Sequence, residues 1–195
     1  VAVQMDVTNK KSVGSAFDKI EKNVGVVEVL INNAGVAQTQ FFTDVEEADW
    51  DHVMNTNLKG AWRVASVCSN RLIAAGKPGS IINLSSILSL GTQTMQSVYA
   101  ISKAGVSHMT HCMSAELMRH QIRVNAIAPG YFLSEMNEDF FKSEKGQAYV
   151  KTLPARRLGN HEELSGAVLL LASEAGSFIT GVVLPVDGGH LVAGR

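Results

Sequence analysis

The sequence has few cysteines, almost no net charge and no long hydrophobic run. Its 195 residues include only two cysteines, Cys68 and Cys112. Two isolated cysteines exclude a disulfide framework and favour reduced thiols, as in a cytoplasmic protein. The net charge of −1 gives no reason to expect nucleic acid or an anionic membrane as a partner. The apolar runs, such as residues 167–172, are too short to span a bilayer.

The sequence also lacks repeats, low-complexity tracts and linkers, so we predict one domain over residues 1–195. Hydrophobic residues make up 46% of the chain, which is ample for a core. No metal site is predicted, because His108 and His111 in "HMTHC" have no carboxylate partner nearby.

Short β-branched runs that end in small or polar residues predict the strands. They lie at 27–35, 79–86, 122–130 and 181–189. Longer segments predict helices at 46–76, 97–120 and 161–172. Thr43 and Glu46 form a capping-box pattern ahead of the first of these helices, which Gly76 ends.

Strands that alternate with helices favour an α/β fold, in which a parallel sheet is covered on both faces. Such sheets bind ligands beyond the carboxyl ends of their strands. Small and polar clusters fall at three of those ends, at 32–35, 85–86 and 129–130. The sequence therefore predicts a binding edge where a dinucleotide would lie.

Two chemically useful side chains lie four residues apart in "SVYAISKAG". Tyr99 and Lys103 would stand side by side on one face of a helix. A free phenol has a pKa of about 10, too high for it to accept a proton near neutrality. A neighbouring cation would lower the pKa of Tyr99 and make it a better acid or base.

Ser86 precedes this helix across a short loop, so its hydroxyl can face the same crevice. A hydroxyl donor and an activatable phenol would then meet one substrate oxygen. This pair is an acid–base site suited to moving a hydride to or from the carbon that bears the oxygen, with a cofactor supplying the hydride chemistry.

Six motifs, in this order, resemble those of the short-chain dehydrogenase/reductase family, and the resemblance covers nearly the whole chain. They are "NNAG" at 32–35, "NTNLKG" at 55–60, "INLSS" at 82–86, "YAISK" at 99–103, "PGYFLSEM" at 129–136 and "PVDGG" at 185–189. The resemblance implies a Rossmann-like doubly wound sheet and an NAD- or NADP-dependent enzyme that interconverts a secondary alcohol and a ketone.

The resemblance also implies a role for each catalytic residue. Tyr99 would donate or accept the proton, and Ser86 would orient the substrate oxygen. Ser86 is preferred to Ser85 because it precedes Tyr99 by 13 residues, the family's usual spacing. Lys103 would lower the pKa of Tyr99 and bind the nicotinamide ribose. Asn57 would hold a water molecule that relays protons from Lys103.

Further residues would contact the cofactor by the same resemblance. Asp6 and Val7 match the adenine contacts, and Phe132 and Ser134 would reach the carboxamide. Ser134 stands where the family often has Thr. The remaining cofactor-binding residues are Asn33, Ala34, Gly35, Pro129, Gly130, Tyr99 and Lys103.

The family's Gly-rich turn, which seats the pyrophosphate on a helix N-terminus, is absent from the sequence. In the family's strand order, residues 1–7 would be the third strand, and the first two strands are missing. We therefore expect an N-terminally truncated, incomplete domain in which the strand at 27–35 is an open edge. The residue that distinguishes NAD from NADP is missing too.

The motifs leave the substrate open between a sugar or polyol and a 3-oxoacyl thioester. The alternative to an enzyme is a truncated chain that keeps the chemical residues but binds no cofactor. Apolar residues on several helix faces, and the family's habit, predict a homotetramer or homodimer. These residues are Ala61, Val64, Ala65, Val106, Met109 and Met113.

Two segments each allow two interpretations. Residues 137–151 are either a solvated helix or a mobile lid over the substrate. Arg156 and Arg157 are either ordinary surface residues or a sign of an anionic substrate.

Overall fold

The computed structural model describes residues 1–134 and 137–193, which form a four-stranded parallel sheet with helices on both faces. The sheet has the order β1-β2-β3-β4, with β1 at Val29–Asn32, β2 at Gly79–Leu84, β3 at Ile122–Pro129 and β4 at Val183–Val186. The helices are α1 Lys10–Asn23, α2 Glu47–Met54, α3 Ala61–Ala75, α4 Ser97–Leu117, α5 Glu138–Lys142, α6 Glu144–Thr152 and α7 Glu162–Ala172. This architecture confirms the predicted α/β fold, and each strand lies inside a predicted run.

The central strands are buried on both faces because their side chains alternate between two apolar layers. Ile81 and Val124 pack on one face with residues of α1 and α3, including Phe17 and Leu72. Adjacent positions turn the other way, so Ile82 packs with Ile127 and Leu171 of α7 on the opposite face. This double coverage fixes β2 and β3, and with them the loops at their carboxyl ends.

β1 lies at one edge of the described sheet, as the sequence predicts. Val29 and Ile31 project from the same face as Ile82 and remain 43% and 45% exposed, so this face of β1 is uncovered. By contrast, the prediction that residues 1–7 form a strand is wrong. Residues 1–6 have no regular structure, because no strand in the described part of the chain offers them hydrogen bonds.

The predicted capping box ahead of α2 is also wrong. Residues Phe42–Asp44 form a short 3-10 turn, and the hydroxyl of Thr43 donates to the Asp44 carboxylate instead. The side chain at the N-cap, Glu46, makes no capping hydrogen bond. Thr43 is drawn into the preceding turn, so it cannot reach the first amides of the helix.

Helix α1 was not predicted, although its sequence carries the signal. The carboxamide oxygen of Asn9 accepts hydrogen bonds from the amides of Lys11 and Ser12, and so caps the helix. Val13 and Phe17, one turn apart, are buried against the sheet layer. No helix in the described ranges is long and apolar enough to cross a membrane.

Candidate active site

Helix α4 starts beside the carboxyl end of β2 and carries Tyr99 and Lys103 on one face. The ammonium nitrogen of Lys103 lies 5.7 Å from the centre of the Tyr99 ring. It donates a 2.7 Å hydrogen bond to the carbonyl of Leu84, the last residue of β2. Lys103 is only 5% exposed, so the strand end holds a buried cation beside the phenol.

Burial perturbs both titrating groups. It lowers the pKa of Lys103 to about 8, because the charged ammonium loses its hydration. Burial also raises the pKa of Tyr99, and a hydrogen bond with the Ser86 side chain lowers it by less. The expected fall in the pKa of Tyr99 caused by Lys103 is therefore not what the structure gives: loss of hydration outweighs the favourable contacts, and Lys103 is hydrogen-bonded to the backbone.

The two neighbouring serines at the end of β2 point in different directions. The hydroxyl of Ser86 accepts from the amide of Leu88 at 3.1 Å, and the Ser86 side chain is near enough to the phenol of Tyr99 to lower its pKa. The hydroxyl of Ser85 donates to the carbonyl of Lys103 at 3.1 Å and lies 2.7 Å from that of Ser107. Only Ser86 therefore presents its hydroxyl to the phenol, whereas Ser85 ties the strand to α4.

Asn57 lies in a π-helical segment, Asn55–Gly60, that interrupts the predicted helix between α2 and α3. Such bulges re-aim side chains and are frequent at functional sites. The Asn57 side chain accepts from the amide of Val36 at 2.8 Å and donates to its carbonyl at 2.9 Å. It also donates to Ser102 in α4 at 3.0 Å. Asn57 thus joins α4 to the loop that follows β1.

That loop brings Gly35 directly against the same group. A Cβ atom on Gly35 would lie 3.4 Å from the Asn57 carboxamide oxygen and 3.5 Å from the Lys103 nitrogen. The backbone of Gly35 therefore passes close to the catalytic candidates. Asn33 and Ala34, just before it, are exposed at the end of the open strand.

The residues expected to bind adenine lie beyond β1. The carboxylate of Asp6 accepts two hydrogen bonds from Thr8, which lower its pKa. The carbonyl of Val7 accepts from Arg63 in α3. A Cβ atom on Gly60 would lie 2.8 Å from the Val7 side chain, so Val7 is held tightly against the π-helical segment.

The residues expected near the nicotinamide follow β3. A Cβ atom on Gly130 would come 2.7 Å from Cα of Asp187, so the chain after Pro129 passes very close to the turn after β4. Phe132 pairs with Gly159 in an isolated parallel bridge. The amide of Ser134 donates to Asn137 at 2.9 Å. The last two residues of the motif at 129–136 lie outside the described residues.

The described residues suit the nicotinamide end of the expected cofactor better than its pyrophosphate. A buried amine, a phenol and close-packed glycines lie at the catalytic end. For the pyrophosphate, none of the helices in the described ranges begins at a Gly-rich turn, and α1 is capped by Asn9. No three metal-binding side chains among the described residues come together.

One set of lining residues was missed from the sequence. A cleft runs from Ile87 and Leu88, directly after Ser86, to Tyr149 in α6 and His190 in the turn after β4. Tyr131 and Gln93 also line it. Tyr131 lies within the motif at 129–136 but is not one of the predicted cofactor contacts. No pattern in the sequence links these distant positions.

Comparison with known proteins decides the family. A family model described as enoyl-(acyl carrier protein) reductase matches residues 1–190. 5-Keto-D-gluconate 5-reductase of Escherichia coli is 40% identical over 99% of this chain and 76% of its own length. The chain belongs to the short-chain dehydrogenase/reductase family. It is an oxidoreductase by that membership.

Other members of the family are similar to a comparable degree. 3-Oxoacyl-acyl-carrier-protein reductase of Thermotoga maritima is 36% identical over 96% of this chain and 76% of its own length. The crystal structure of gluconate 5-dehydrogenase from Burkholderia cenocepacia, in complex with NADP and tartrate, superposes with a TM-score of 0.92. It is 36% identical, and the match covers 98% of this chain and 74% of that one.

Proposed function

We propose that the chain interconverts a secondary alcohol and a ketone with NAD or NADP, and that Tyr99 is its acid–base residue. The observation that carries this is the Lys103 ammonium, buried 5.7 Å from the centre of the Tyr99 ring at the end of β2, with Ser86 near enough to the phenol to act on its pKa. A substrate oxygen that meets both hydroxyls would be held where a proton can be delivered to it or taken from it.

In the reduction direction, the neutral phenol of Tyr99 donates its proton to the carbonyl oxygen as that oxygen gains negative charge. Ser86 donates a hydrogen bond to the same oxygen and fixes its position. The cofactor supplies the hydride when it is bound. The raised pKa of Tyr99 favours the protonated phenol that this direction requires.

The other two residues support the phenol. Lys103 favours the phenolate that forms after proton donation, and its amine would bind the nicotinamide ribose. Asn57 keeps α4 and the loop after β1 in register, and the proton relay through a water molecule is its further proposed role. Asp6 and Val7 would contact the adenine. The nicotinamide half would be lined by Tyr99, Lys103, Asn33, Ala34, Gly35, Pro129, Gly130, Phe132 and Ser134.

For the substrate, we favour a polyhydroxy acid of the gluconate type over a 3-oxoacyl thioester. Several relatives carry gluconate in their names, including those of Escherichia coli and Gluconobacter oxydans. The 3-oxoacyl reductase of Thermotoga maritima, at 36% identity, is less similar than the Escherichia coli relative at 40%, although not less similar than that of Gluconobacter oxydans at 35%. The cleft is also lined by hydroxyl, amide and imidazole groups, which suit a substrate rich in hydroxyls.

The test uses an extended chain, defined as these 195 residues preceded by a segment that supplies the family's first two strands and the Gly-rich turn and helix after the first of them. Oxidation of NADPH and NADH is followed with 5-keto-D-gluconate and with an acetoacetyl thioester. We expect turnover with the keto acid. Turnover only with the thioester would reverse the substrate assignment, and no turnover with either would favour the non-catalytic alternative.

A homotetramer is the assembly that we propose, but on different residues from those expected. Ala61, Val64, Ala65 and Val106 are buried within the single chain and cannot form an interface. Large apolar side chains are exposed elsewhere on the helices and in the loop before β4. They are Trp62, Ile101, Leu169 and Phe178. Light scattering at micromolar concentration tests this, and a monomer would contradict it.

A further inference from the structure

The cleft that begins at Ile87, directly after Ser86, adjoins a cationic rim, defined as Lys151 and Arg156, that the proposed reaction does not use. The inner part of the cleft includes Tyr149 and His190. The same two residues line the adjoining outer part, together with Lys151 and Arg156. Because the two parts share these side chains, they adjoin, and a ligand that occupied both would reach from the residues directly after Ser86 to the rim.

The rim carries uncompensated positive charge. Among the described residues that line the outer part there is no carboxylate. Neither Lys151 nor Arg156 takes part in an ion pair within residues 1–134 and 137–193. The next arginine behaves differently, because Arg157 binds the Glu163 carboxylate with two hydrogen bonds of 2.7 Å. Of the two arginines, only Arg156 keeps its guanidinium available for an anion.

The backbone at Arg156 is strained. Its φ angle is 54°, in the left-handed region that favours glycine, and its amide donates to the carbonyl of Leu153 at 2.9 Å. Residues other than glycine are held in such conformations mainly where the surrounding structure needs them. Here the turn places the Arg156 side chain on the wall of the outer cleft.

Hydroxyl-binding groups lie between the rim and Ser86. The phenol of Tyr149 donates to that of Tyr131 at 3.0 Å, which donates to Gln93 at 2.9 Å. The His190 ring packs edge-on against Tyr131, with ring centres 5.3 Å apart. Its Nδ1 atom is buried and has no hydrogen-bond partner among the described residues. An unpaired buried polar atom is costly unless a ligand or water reaches it.

We infer that the cationic rim binds the carboxylate of the substrate, with Arg156 as its main contact. His190, Tyr131 and Tyr149 then contact the hydroxyls between the carboxylate and the reacting carbon. This assignment rests on the proposed function and makes the substrate a polyhydroxy acid. An arginine suits this role because its planar fork can bind both carboxylate oxygens.

The test compares D-gluconate with D-glucitol, which has a hydroxymethyl group in place of the carboxylate. Both are titrated into the 195-residue chain by ligand-detected NMR. We expect gluconate to bind roughly tenfold more tightly or better, as for a charge-assisted contact. Arg156→Met should remove this preference, and Arg156→Lys should keep part of it. The control Lys145→Met changes an exposed cation of α6 outside the cleft and should leave it intact.

Equal affinities for the two ligands, no detectable gluconate binding, or an equal loss of both in Arg156→Met would overturn the inference. The titration needs neither cofactor nor turnover. An extended chain that fails to reduce 5-keto-D-gluconate, combined with an intact gluconate preference, would therefore contradict the proposed reaction and leave the anion site standing.

Discussion

Ser86, Tyr99 and Lys103 lie where β2 is flanked by strands on both sides, whereas Asp6 and Val7, the residues expected to bind adenine, lie beyond β1, the outermost strand of the described sheet. At the first place, Lys103 donates to the carbonyl of Leu84 and Ser85 donates to that of Lys103, which ties α4 to the end of β2. At the second, no strand among the described residues pairs with the outer side of β1. The fold itself therefore positions the catalytic side chains, while the adenine end lacks the support that a further strand would give.

The largest expected effect tests the catalytic side chains at the end of β2. Tyr99→Phe removes only the hydroxyl that meets Ser86, so the side chain still fills its site. We expect kcat of the extended chain to fall by about 10²–10⁴-fold, the range typical of a general acid. Steady-state reduction of 5-keto-D-gluconate measures it, with the thermal midpoint checked to show an intact fold. A variant that keeps near-normal kcat would remove Tyr99 from the mechanism.

The second prediction tests the less supported region. The pyrophosphate of a dinucleotide is met in this family by backbone amides at a helix N-terminus. Charge-assisted hydrogen bonds of this kind contribute about 1.5–3 kcal/mol each, so the loss of two weakens binding by roughly a thousandfold. We expect isothermal titration to detect NADPH binding to the extended chain and no saturable binding to the 195-residue chain. Micromolar binding to both would mean that the Gly-rich turn is dispensable.

The third prediction concerns the cost of burying Lys103. Its pKa is about 8 in the fold, against an ordinary value of 10.5. Below pH 8 both the folded and the unfolded states hold the proton. Above it the folded state releases the proton first, so the free energy of unfolding rises with pH up to 10.5.

Denaturant unfolding of the extended chain between pH 7.5 and 9.5 measures this rise, and the tyrosines and cysteines that also titrate there are common to both proteins in the comparison. Relative to Lys103→Met, which has no proton to release, the unmodified protein should gain about 2 kcal/mol by pH 9.5. Parallel pH profiles for the two proteins would show that the ammonium of Lys103 is not desolvated in the fold.

The same contrast explains how far the sequence could predict the structure. The strands and α4 were predicted because their apolar patterns agree with the buried environment that they occupy. Residues 1–7 have a strand-like pattern, but a strand also needs a partner, and the local pattern does not report one. Likewise, the spacing of Tyr99 and Lys103 predicts their proximity, whereas the pKa of Tyr99 depends on how deeply the tertiary fold buries it.

The cleft shows the same limit more strongly. Gln93, Tyr149 and His190 come from three separate parts of the chain, and only the packing of α6 and the turn after β4 brings them together. The π-helical segment around Asn57 was predicted as continuous helix, although its six residues are richer in Asn, Thr and Gly than the helices beside it. The spacing of two residues in the sequence can reveal functional groups that share one helix or strand. It does not reveal groups that the fold brings together from separate elements.

The smallest expected effect compares the two regions at one level of the sheet. Ile31 in β1 and Ile82 in β2 are register partners, yet Ile31 is 45% exposed and Ile82 is fully buried. Truncating Ile82 to Ala leaves a cavity in the packed layer and should cost about 2–5 kcal/mol in the free energy of unfolding. Ile31→Ala removes a side chain already half in water, so in the 195-residue chain it should cost about 1 kcal/mol or less. Denaturant unfolding of both variants gives the comparison, and equal losses would mean that the Ile31 face of β1 is covered in solution. The difference should shrink in the extended chain if its added segment covers this face, because the same truncation would then open a cavity at both positions.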